Sequence, residues 1–295
     1  MRLEGQVALV TGGGTGIGRG ISLAFAREGG RVAVNYSKSR DRAEATVREI
    51  ETAGGRAIAL AADVSKEAGA RGLVDAVVRE LGRLDILVNN AGWTQRTPHG
   101  DLEALTDEVW QKTFAVNLLG AWYCVKHAIP IMQRQGGGVI INVTSVAAFH
   151  GMGSSMAYAA SKAALTTLTK SLARAFAPTI RVNNLAPGLV DTGFVDWPPE
   201  VIPEGRRAIS TPELPTPEDL GEAALYLAAD ARATTGTTLF VDGGVVALGP
   251  QGHRPSATGR KRPHPVIPSA SQATRAIDDV NSPPSRNRKI SAVPR

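Results

Sequence analysis

The sequence contains one cysteine, few aromatic residues and no long apolar run. Cys124 has no second cysteine to pair with, so an internal disulfide is excluded and a reducing compartment is expected. No stretch reaches the roughly 18 apolar residues that a membrane-spanning helix needs. The opening residues, Met-Arg-Leu-Glu-Gly, lack the apolar stretch of a secretory signal peptide. These absences predict a soluble cytoplasmic protein with no membrane partner.

Excess charge is confined to one end of the chain. The net charge is +6, but the segment 250–295 alone carries nine Lys or Arg and two Asp. Residues 1–249 hold the remaining 24 Lys or Arg against 25 Asp or Glu, so this part is nearly neutral. Its charge therefore gives no argument for binding nucleic acid.

The segment 250–295 also has eight prolines and lacks Phe, Tyr, Trp and Leu. It cannot bury enough apolar surface to offset about 1–2 kcal/mol of backbone entropy per residue, so we expect it to be disordered. Weak, salt-dependent attraction to nucleic acid or an acidic partner is one role for it. A dispensable extension is the favoured alternative, since no aromatic is available for base stacking. The predicted division is a folded domain, 1–249, and a basic proline-rich tail, 250–295.

A glycine-rich turn follows the first predicted strand. Residues 6–11 are predicted to form a buried strand, and residues 19–28 a helix. Strand, glycine turn and helix in this order form a cradle for a dinucleotide, because glycine lets the backbone approach the pyrophosphate and the helix N-terminus faces its charge. A simple tight turn is the alternative for a lone glycine cluster. The candidate binding residues here are Gly12, Thr15, Gly16, Ile17 and Gly18.

The end of the second predicted strand, residues 31–36, bears on the choice of dinucleotide. An acidic side chain at this place binds the ribose 2′-hydroxyl of NAD. Tyr36 stands there instead, followed by Ser37, Lys38 and Arg40, so no carboxylate repels a 2′-phosphate and two cations with hydroxyls could bind one. The sequence favours NADP(H) over NAD(H). The alternative is that Lys38 and Arg40 only solvate the start of a helix.

Strands and helices continue to alternate along the chain. This pattern predicts an α/β fold with a single Rossmann-type doubly wound parallel sheet of about seven strands and helices on both faces. The pattern stops over residues 189–216, which contain five prolines and are expected to form a lid over the substrate. The further predicted strands are 56–61, 84–88, 138–144, 180–185 and 238–241, and the further predicted helices are 41–53, 68–81, 105–134, 157–177 and 218–229.

Ser145 follows the predicted strand 138–144, at the carboxyl end where open α/β sheets build their sites. Tyr158 and Lys162 stand at i and i+4 of the predicted helix 157–177, which Ser154 or Ser155 can cap, so they share one face. Lowering a tyrosine pKa from about 10 to about 7 requires roughly 4 kcal/mol. A helix N-terminus supplies only about 0.3–1 kcal/mol, so Lys162 and any other nearby cation, such as an oxidised nicotinamide, must supply the rest. An ordinary amphipathic helix with an exposed lysine is the alternative reading.

Taken together, these segments resemble the short-chain dehydrogenase/reductase family. The nearest branch it resembles is the NADPH-dependent 3-oxoacyl-acyl-carrier-protein reductases and their relatives that reduce other ketones. The similarity covers residues 5–245, with the motifs in the family's order and spacing. The matching pieces are Thr11-Gly12-x3-Gly16-Ile17-Gly18, Asp63, Asn89-Asn90-Ala91-Gly92, Asn117, Ser145, Tyr158-x3-Lys162, Pro187-Gly188-x3-Thr192 and Val241-Asp242-Gly243-Gly244.

The resemblance implies four catalytic residues. Tyr158 is expected to exchange the proton with the substrate oxygen, and Lys162 to bind the nicotinamide ribose and lower the tyrosine pKa. Ser145 is expected to hydrogen-bond the carbonyl, and Asn117 to hold a water that links Lys162 to solvent. A carbonyl that accepts hydride develops alkoxide charge, which needs a donor and an orienting hydroxyl beside it.

The resemblance also extends the cofactor site. Asp63 is expected to contact adenine, Asn89 the neighbouring ribose, and Thr192 with the preceding Pro-Gly turn the carboxamide and phosphates. No metal site is predicted. The implied cofactor residues are Asp63, Val64, Asn89, Ala91, Gly92, Pro187, Gly188 and Thr192, together with Tyr158 and Lys162.

Two classes of function follow from the resemblance. The first is an NADP(H)-dependent oxidoreductase of a small carbonyl compound or secondary alcohol, most similar to a 3-oxoacyl-acyl-carrier-protein reductase that takes an acyl thioester. A short-chain alcohol, sugar or steroid dehydrogenase is the alternative within this class. The second class, a non-catalytic NADP-sensing or scaffold protein, is disfavoured because the whole catalytic set is present. Relatives pair through the helices around Asn117 and Tyr158, so a homotetramer is expected.

Two features depart from the family pattern. Thr15 stands where many NADP-preferring relatives carry a basic residue, which counts against NADP(H). The chain also continues for about fifty residues beyond the segment 241–244, whereas the family usually stops within a few residues of it.

Overall fold

Seven parallel strands form the centre of the computed structural model, which describes residues 1–249; the predicted tail, 250–295, lies outside the described residues. The sheet confirms the predicted architecture, and each observed strand starts or ends within two residues of the expected one. The strands are β1 Val7–Val10, β2 Arg31–Tyr36, β3 Arg56–Ala61, β4 Ile86–Asn89, β5 Gly138–Val143, β6 Ile180–Pro187 and β7 Thr238–Val241.

The strand order across the sheet is β3-β2-β1-β4-β5-β6-β7. The order reverses direction at β1, which pairs with β2 on one side and with β4 on the other. Ligands of doubly wound sheets bind in the crevice beyond the carboxyl ends of the strands at such a reversal. The glycine turn after β1 and the segment after β4 both open into this crevice.

Helices cover both faces of the sheet. The long segment expected to be one helix over residues 105–134 is instead two helices joined by a π-helical turn, Ala115–Leu119. Two four-residue helices were not predicted, because such short segments carry no periodic pattern. The helices are α1 Gly16–Arg27, α2 Arg40–Thr52, α3 Glu67–Leu81, α4 Asp107–Phe114, α5 Gly120–Arg134, α6 Ala147–His150, α7 Met156–Phe176, α8 Val201–Ala208, α9 Pro217–Leu225 and α10 Val245–Leu248.

The core consists of two apolar layers, one on each face of the sheet. Val10 and Val88 pack with Ile21 and Phe25 of α1 in one layer. Neighbouring strand residues such as Leu9 face the other layer, which α3, α5 and α7 cover. Because side chains alternate between faces and both faces are covered, the central strands carry apolar residues on both faces rather than on alternate positions.

The segment expected to lack regular structure, 189–216, contains helix α8. Pro203 lies in the first turn of α8, where its missing N–H leaves no hydrogen bond unmade. No residue of α8 is buried, so the helix lies on the surface beside the crevice. The segment ends in a capping box, in which Thr216 and Asp219 bond each other's backbone at the start of α9.

Within residues 1–249, no helix is both long and apolar enough to cross a bilayer.

Candidate active site

Ser145 is held at the carboxyl end of β5 by the turn that follows it. Its hydroxyl accepts a hydrogen bond from the Ala147 N–H at 3.1 Å, at the start of α6. The backbone N–H of Val146 donates to the Pro187 carbonyl at the end of β6, which fixes this turn against the neighbouring strand. Ser145 lines a cleft of about 1500 Å³ together with Tyr158, and the nearby Ser145 hydroxyl acts to lower the pKa of Tyr158.

Tyr158 lies in the first turn of α7. The helix is capped by Ser155, whose hydroxyl accepts the Tyr158 N–H at 3.2 Å. The other candidate cap, Ser154, bonds the Thr94 hydroxyl at 2.7 Å and so ties the two loops at the cleft together. Burial raises the Tyr158 pKa to about 12, against a smaller lowering by the nearby Ser145 hydroxyl.

Lys162 lies one turn further along α7, on the same face. It is 3% exposed, and its Nζ donates to the Val143 carbonyl of β5 at 2.7 Å. The ammonium lies 5.7 Å from the centre of the Tyr158 ring. Burial lowers the Lys162 pKa to about 8.

These pKa directions differ from the sequence argument, which required a tyrosine pKa near 7. Without a cofactor, burial is the main cause of both pKa shifts, and it raises the pKa of Tyr158 instead of lowering it. Desolvation disfavours the charged form of each, which raises a phenol and lowers an amine. Tyr158 is therefore a neutral hydroxyl at physiological pH.

Asn117 lies in the π-helical turn between α4 and α5. Its Oδ1 accepts the Trp93 N–H at 2.7 Å, and its Nδ2 donates to the Trp93 carbonyl and the Ser161 hydroxyl, each at 3.0 Å. Both amide donors are thus used within the protein, and the residue is 1% exposed. The side chain ties the segment after β4 to α7, and the expected role of holding a water for Lys162 stays a prediction.

The glycine turn brings the first turn of α1 to the cleft. Gly16 has φ +48°, a left-handed conformation, and a Cβ there would come within 3.1 Å of the Thr192 side chain. Thr15, Gly16 and Ile17 line the cleft at the N-terminus of this twelve-residue helix. Unbonded N–H groups of a first turn suit a phosphate, so the residues fit a dinucleotide.

Gly12 also lines the cleft, whereas Gly18 has a structural place. A Cβ on Gly18 would collide with the Gly12 carbonyl and with Nδ2 of Asn90. Asn90 in turn donates to the carbonyls of Thr11 and Gly12, at 2.9 and 3.1 Å. Close packing of α1 against the turn therefore requires glycine at position 18, and its expected contact with the cofactor stays a prediction.

Of the basic residues that follow β2, some line the cleft and one is bonded to a neighbouring carboxylate. Arg40 bonds Glu44 one turn later in α2, Nε to Oε1 at 2.6 Å, so its charge is already paired. Arg42, which sequence reasoning missed, lines the cleft instead. Arg42 lies in the first turn of α2, close to the end of β2, and this closeness could have suggested a contact with the cofactor. Which side chains of that turn face the cleft depends on where the helix begins, and the sequence did not show that it begins at Arg40. The other residues of this end that line the cleft are Tyr36, Ser37, Lys38 and Ser39.

The segments after β3, β4 and β6 supply the rest of the wall. Among the residues predicted to contact the cofactor in these segments, Asn89 does not line the cleft. It is buried, and its Nδ2 donates to Asn142 Oδ1 at 2.8 Å. Its side chain is thus used within the sheet, and its expected contact with the ribose stays a prediction, whereas Asn90, the next residue, lines the cleft. The predicted residues that do line the cleft are Asp63, Val64, Ala91, Gly92, Pro187, Gly188 and Thr192.

Beyond Tyr158 the cleft is lined by large apolar side chains. The rings of Phe194 and Tyr158 lie 6.4 Å apart, and Lys112 Nζ lies 4.1 Å from the centre of the Trp93 ring. Phe194 is 49% and Met152 69% exposed, so apolar surface faces the opening. This end also includes Trp93, His150 and Trp197.

Comparison with known proteins gives three findings. A family model described as enoyl-(acyl carrier protein) reductase matches residues 12–246. The 3-oxoacyl-(acyl-carrier-protein) reductase of Thermotoga maritima is 35% identical over 253 residues, 83% of this chain and 100% of the relative. The 3beta-hydroxysteroid dehydrogenase 1 of Eggerthella lenta is 41% identical over 251 residues, 82% of this chain and 94% of the relative.

Solved structures agree with these relatives. A 7α-hydroxysteroid dehydrogenase, solved with NADH and 7-oxo glycochenodeoxycholic acid, superimposes with a TM-score of 0.77 at 34% identity. The similarity covers 82% of this chain and 95% of that structure.

Proposed function

This chain belongs to the short-chain dehydrogenase/reductase family, and from that premise we propose that it is an NADP(H)-dependent ketoreductase. The observation that carries the proposal is the meeting of Ser145, Tyr158 and Lys162 in the same cleft as the glycine turn. We propose a carbonyl substrate or the corresponding secondary alcohol, with a 3-oxoacyl thioester as the first candidate.

The proposed roles follow from the chain's own groups. Bound NADPH supplies the hydride. The Tyr158 hydroxyl, which burial keeps protonated at neutral pH, donates its proton to the oxygen on which negative charge develops. Ser145, which lines the same part of the cleft, hydrogen-bonds the same oxygen and orients the substrate carbonyl toward Tyr158. Lys162, fixed on the Val143 carbonyl, stabilises charge on the phenol once the proton has left.

Reduction of a carbonyl is preferred to reduction of a carbon–carbon double bond, the reaction in the family model's description. Ser145 and Tyr158 bring two hydroxyl donors to one point of the cleft. Such donors stabilise charge that develops on oxygen more than charge that develops on carbon. The relatives named as reductases of 3-oxoacyl groups and as hydroxysteroid dehydrogenases support the same choice.

The preference for NADP(H) is supported by the adenosine end of the cleft. Lys38 and Arg42 line it with the hydroxyls of Ser37 and Ser39, a set that suits a phosphate monoester. NAD(H) remains the alternative, since one solved relative was crystallised with NADH.

A second substrate class is supported by the apolar end of the cleft. Trp93, Phe194 and Trp197 are three large aromatic side chains in a chain with 5% aromatic residues. Aromatic and apolar walls suit a bulky ring ketone such as a steroid. The relatives named as hydroxysteroid dehydrogenases agree with this class.

The test is a panel of 3-oxoacyl thioesters, steroid ketones, sugars, simple ketones and an enoyl thioester, each with NADPH and NADH. We expect turnover of at least one ketone, a higher kcat/KM with NADPH, and loss of turnover in Tyr158→Phe with NADPH binding retained. Undiminished turnover in Tyr158→Phe would mean that another group donates the proton. NADPH binding without turnover of any panel member would support the sensing or scaffold role.

A further inference from the structure

A row of polar side chains crosses the sheet where apolar residues would be expected. Asn89 of β4 pairs in register with Asn142 of β5, which pairs with Asn184 of β6, which pairs with Thr238 of β7. The three asparagines are 3%, 0% and 0% exposed. Their side chains bond one another or α7, so they share the face that α7 covers. A buried amide costs free energy unless it is hydrogen-bonded, so this row needs an explanation.

Thr169 of α7 closes the row from the helix side. Its hydroxyl accepts from Asn142 Nδ2 at 2.7 Å and can donate its one proton to Asn184 Oδ1 at 2.6 Å, which is closer than the Leu165 carbonyl of its own helix at 3.1 Å. Two further hydrogen bonds complete the row at its ends. Asn89 Nδ2 donates to Asn142 Oδ1 at 2.8 Å, and Asn184 Nδ2 donates to the Thr238 hydroxyl at 3.2 Å. One helix residue thus bonds two adjacent strands through a single hydroxyl.

The row lies directly below the proposed site. Thr169 follows Lys162 by two helical turns, so both project from the sheet-facing side of α7. Asn142 and Val143 are consecutive residues of β5, and Val143 accepts the Lys162 ammonium. Strand β5 and helix α7 are therefore attached at two points, one of which carries the reaction's lysine.

Apolar packing alone would leave the position of α7 along the sheet weakly defined. The residues around Thr169, such as Leu165 and Leu172, are apolar, and the attraction between such surfaces has no direction. Hydrogen bonds between buried groups are directional, and a single polar contact in an apolar interface can fix its register. Register matters here because a displacement of about 1 Å at a reacting group can cost about a hundredfold in rate.

We propose that Thr169, with Asn142 and Asn184, is a positioning device that sets α7 on the sheet so that Lys162 reaches Val143 and Tyr158 reaches Ser145. The proposal rests on the proposed function only in taking Tyr158 and Lys162 as the groups that act on the substrate. The hydroxyl of Thr169, not its volume, is the element that matters.

Two substitutions separate the hydroxyl from the volume. Thr169→Val keeps the size and removes the hydroxyl, whereas Thr169→Ser keeps the hydroxyl and removes a methyl group. We expect Thr169→Val to lower kcat at least tenfold with less than threefold change in either KM, and Thr169→Ser to retain kcat within twofold. Thr113→Val is the matched control, because Thr113 is equally buried but bonds only the Val109 carbonyl of its own helix. Equal kcat in Thr169→Val and wild type would overturn the proposal.

A quadruple variant covers the case in which Thr169→Val does not fold. Asn142→Val with Thr169→Val and Asn184→Val removes every partner of the central hydrogen bonds, and Asn89→Val removes the buried amide that would otherwise lose its bond to Asn142. Replacing both partners of such a bond can be nearly neutral for stability. We expect this variant to fold with kcat still at least tenfold below wild type. A folded quadruple variant with wild-type kcat would show that the row serves stability alone.

A structural measurement keeps the two proposals apart. In a crystal structure of the folded variant that lacks the hydroxyl, the distance from Lys162 Nζ to the Val143 carbonyl should exceed the 2.7 Å of the wild type. It should stay unchanged in Thr169→Ser. If no panel substrate is turned over but this distance lengthens, the proposed function fails and the positioning role stands. An unchanged distance overturns the positioning role whatever the activity.

Discussion

At the scale of single residues, Lys162 carries an unusual electrostatic environment. Its ammonium is buried and donates a hydrogen bond to the Val143 backbone carbonyl, which carries no charge. A buried amine with such a partner loses hydration that the carbonyl only partly replaces, so its pKa falls to about 8. Lys162 therefore titrates two to three pH units below an exposed lysine, whose pKa is about 10.4.

This shift makes stability depend on pH in a definite direction. Between pH 8 and about 10.4 the unfolded chain holds the Lys162 proton more tightly than the folded chain, so the free energy of unfolding from this group rises with pH. Lys162→Met, of similar length and uncharged, removes the effect. We expect the wild type to gain about 2 kcal/mol on Lys162→Met between pH 7.5 and 9.5, since this range covers only part of the titration and each pKa unit is worth about 1.4 kcal/mol. Urea unfolding at pH 7.5, 8.5 and 9.5 measures the difference.

A difference between the two proteins that stays flat or falls with pH would contradict this expectation. Tyr158 is present in both, and its pKa of about 12 lies above the range. Its contribution therefore cancels.

The two arginines at the start of α2 offer a second test at this scale. Arg42 lines the cleft, and Arg40 is bonded to Glu44. A charge-assisted hydrogen bond is worth about 1.5–3 kcal/mol, so we expect Arg42→Ala to lower kcat/KM for NADPH by about tenfold or more. NADH should be affected less than threefold. Arg40→Ala is the matched control and should change neither value; a loss confined to Arg40→Ala would reverse the assignment.

Residue positions near strand ends were the hardest to predict from sequence. Which of Asn89 and Asn90 faces the cleft depends on the last residue of β4, and side chains alternate there. Sequence placed the strand end one residue early. Asn117 was located correctly on a helical segment, but its bonds to Trp93 depend on a π-helical turn, which one extra residue per turn creates and no composition signal announces.

At the scale of elements, α1 and α9 pack unusually closely. Gly20 of α1 lies against the Pro217 carbonyl, and a Cβ on Gly221 of α9 would come within 2.6 Å of the Gly20 carbonyl. Pro217 is the first residue of α9, directly after the segment 189–216. Helix α1, which lies at the phosphate end of the cleft, therefore contacts the point where segment 189–216 ends. Residues of that segment line the opposite side of the cleft.

Alanine substitutions at two helical glycines test this contact. Gly20→Ala would place a methyl group on the Pro217 carbonyl, and such overpacking costs about 1–3 kcal/mol of stability. Gly72→Ala in α3 meets nothing within 4 Å and should stabilise by about 0.5–1 kcal/mol, the usual gain over glycine in a helix. Thermal unfolding of both variants gives the comparison. If the Gly20→Ala variant melted at a higher temperature than the wild type, α9 would have to shift away from α1 without loss of stability.

Elements with strong patterns were predicted well, and weakly patterned ones were not. The short, mostly apolar runs of β2, β3 and β7 were found with their observed ends, because glycine precedes each run closely and marks where the strand begins. Helix α8 was missed, since it has only eight residues and includes Pro203, and both a short length and an internal proline count against a helix when a sequence is read. Its formation depends on surroundings that sequence periodicity does not describe.

At the scale of the whole molecule, one edge of the sheet is poorly covered within residues 1–249. Every residue of β7 is only partly buried. Beside it, the Phe149 and Phe240 rings meet at 4.8 Å, and Phe149 is 43% exposed. Exposed apolar surface next to a sheet edge favours association of copies.

We expect a homotetramer and expect residues 1–249 to be sufficient for it. The sheet, its covering helices and the cleft are all formed within these residues. A chain ending at Gly249 should keep the wild-type melting temperature and kcat/KM. Light scattering should give about four times the chain mass, which is 30.9 kDa with the tail. A single-chain mass across working concentrations would contradict the tetramer, and dissociation or a tenfold activity loss on truncation would show that residues 250–295 contribute.

The strand order has a consequence for how the molecule folds and survives. Ala8 pairs with Ile86, so the centre of the sheet joins segments far apart in the chain, and such non-local pairing slows folding. The cleft draws on residues from Gly12 to Val201, so no early fragment contains a complete binding site. A dinucleotide that recognises only the finished sheet cannot speed its assembly, but it stabilises the product, by about 2.7 kcal/mol at one hundred times its Kd. The protein's lifetime in a cell would then follow the supply of its cofactor, and starvation for that cofactor would be met by faster degradation.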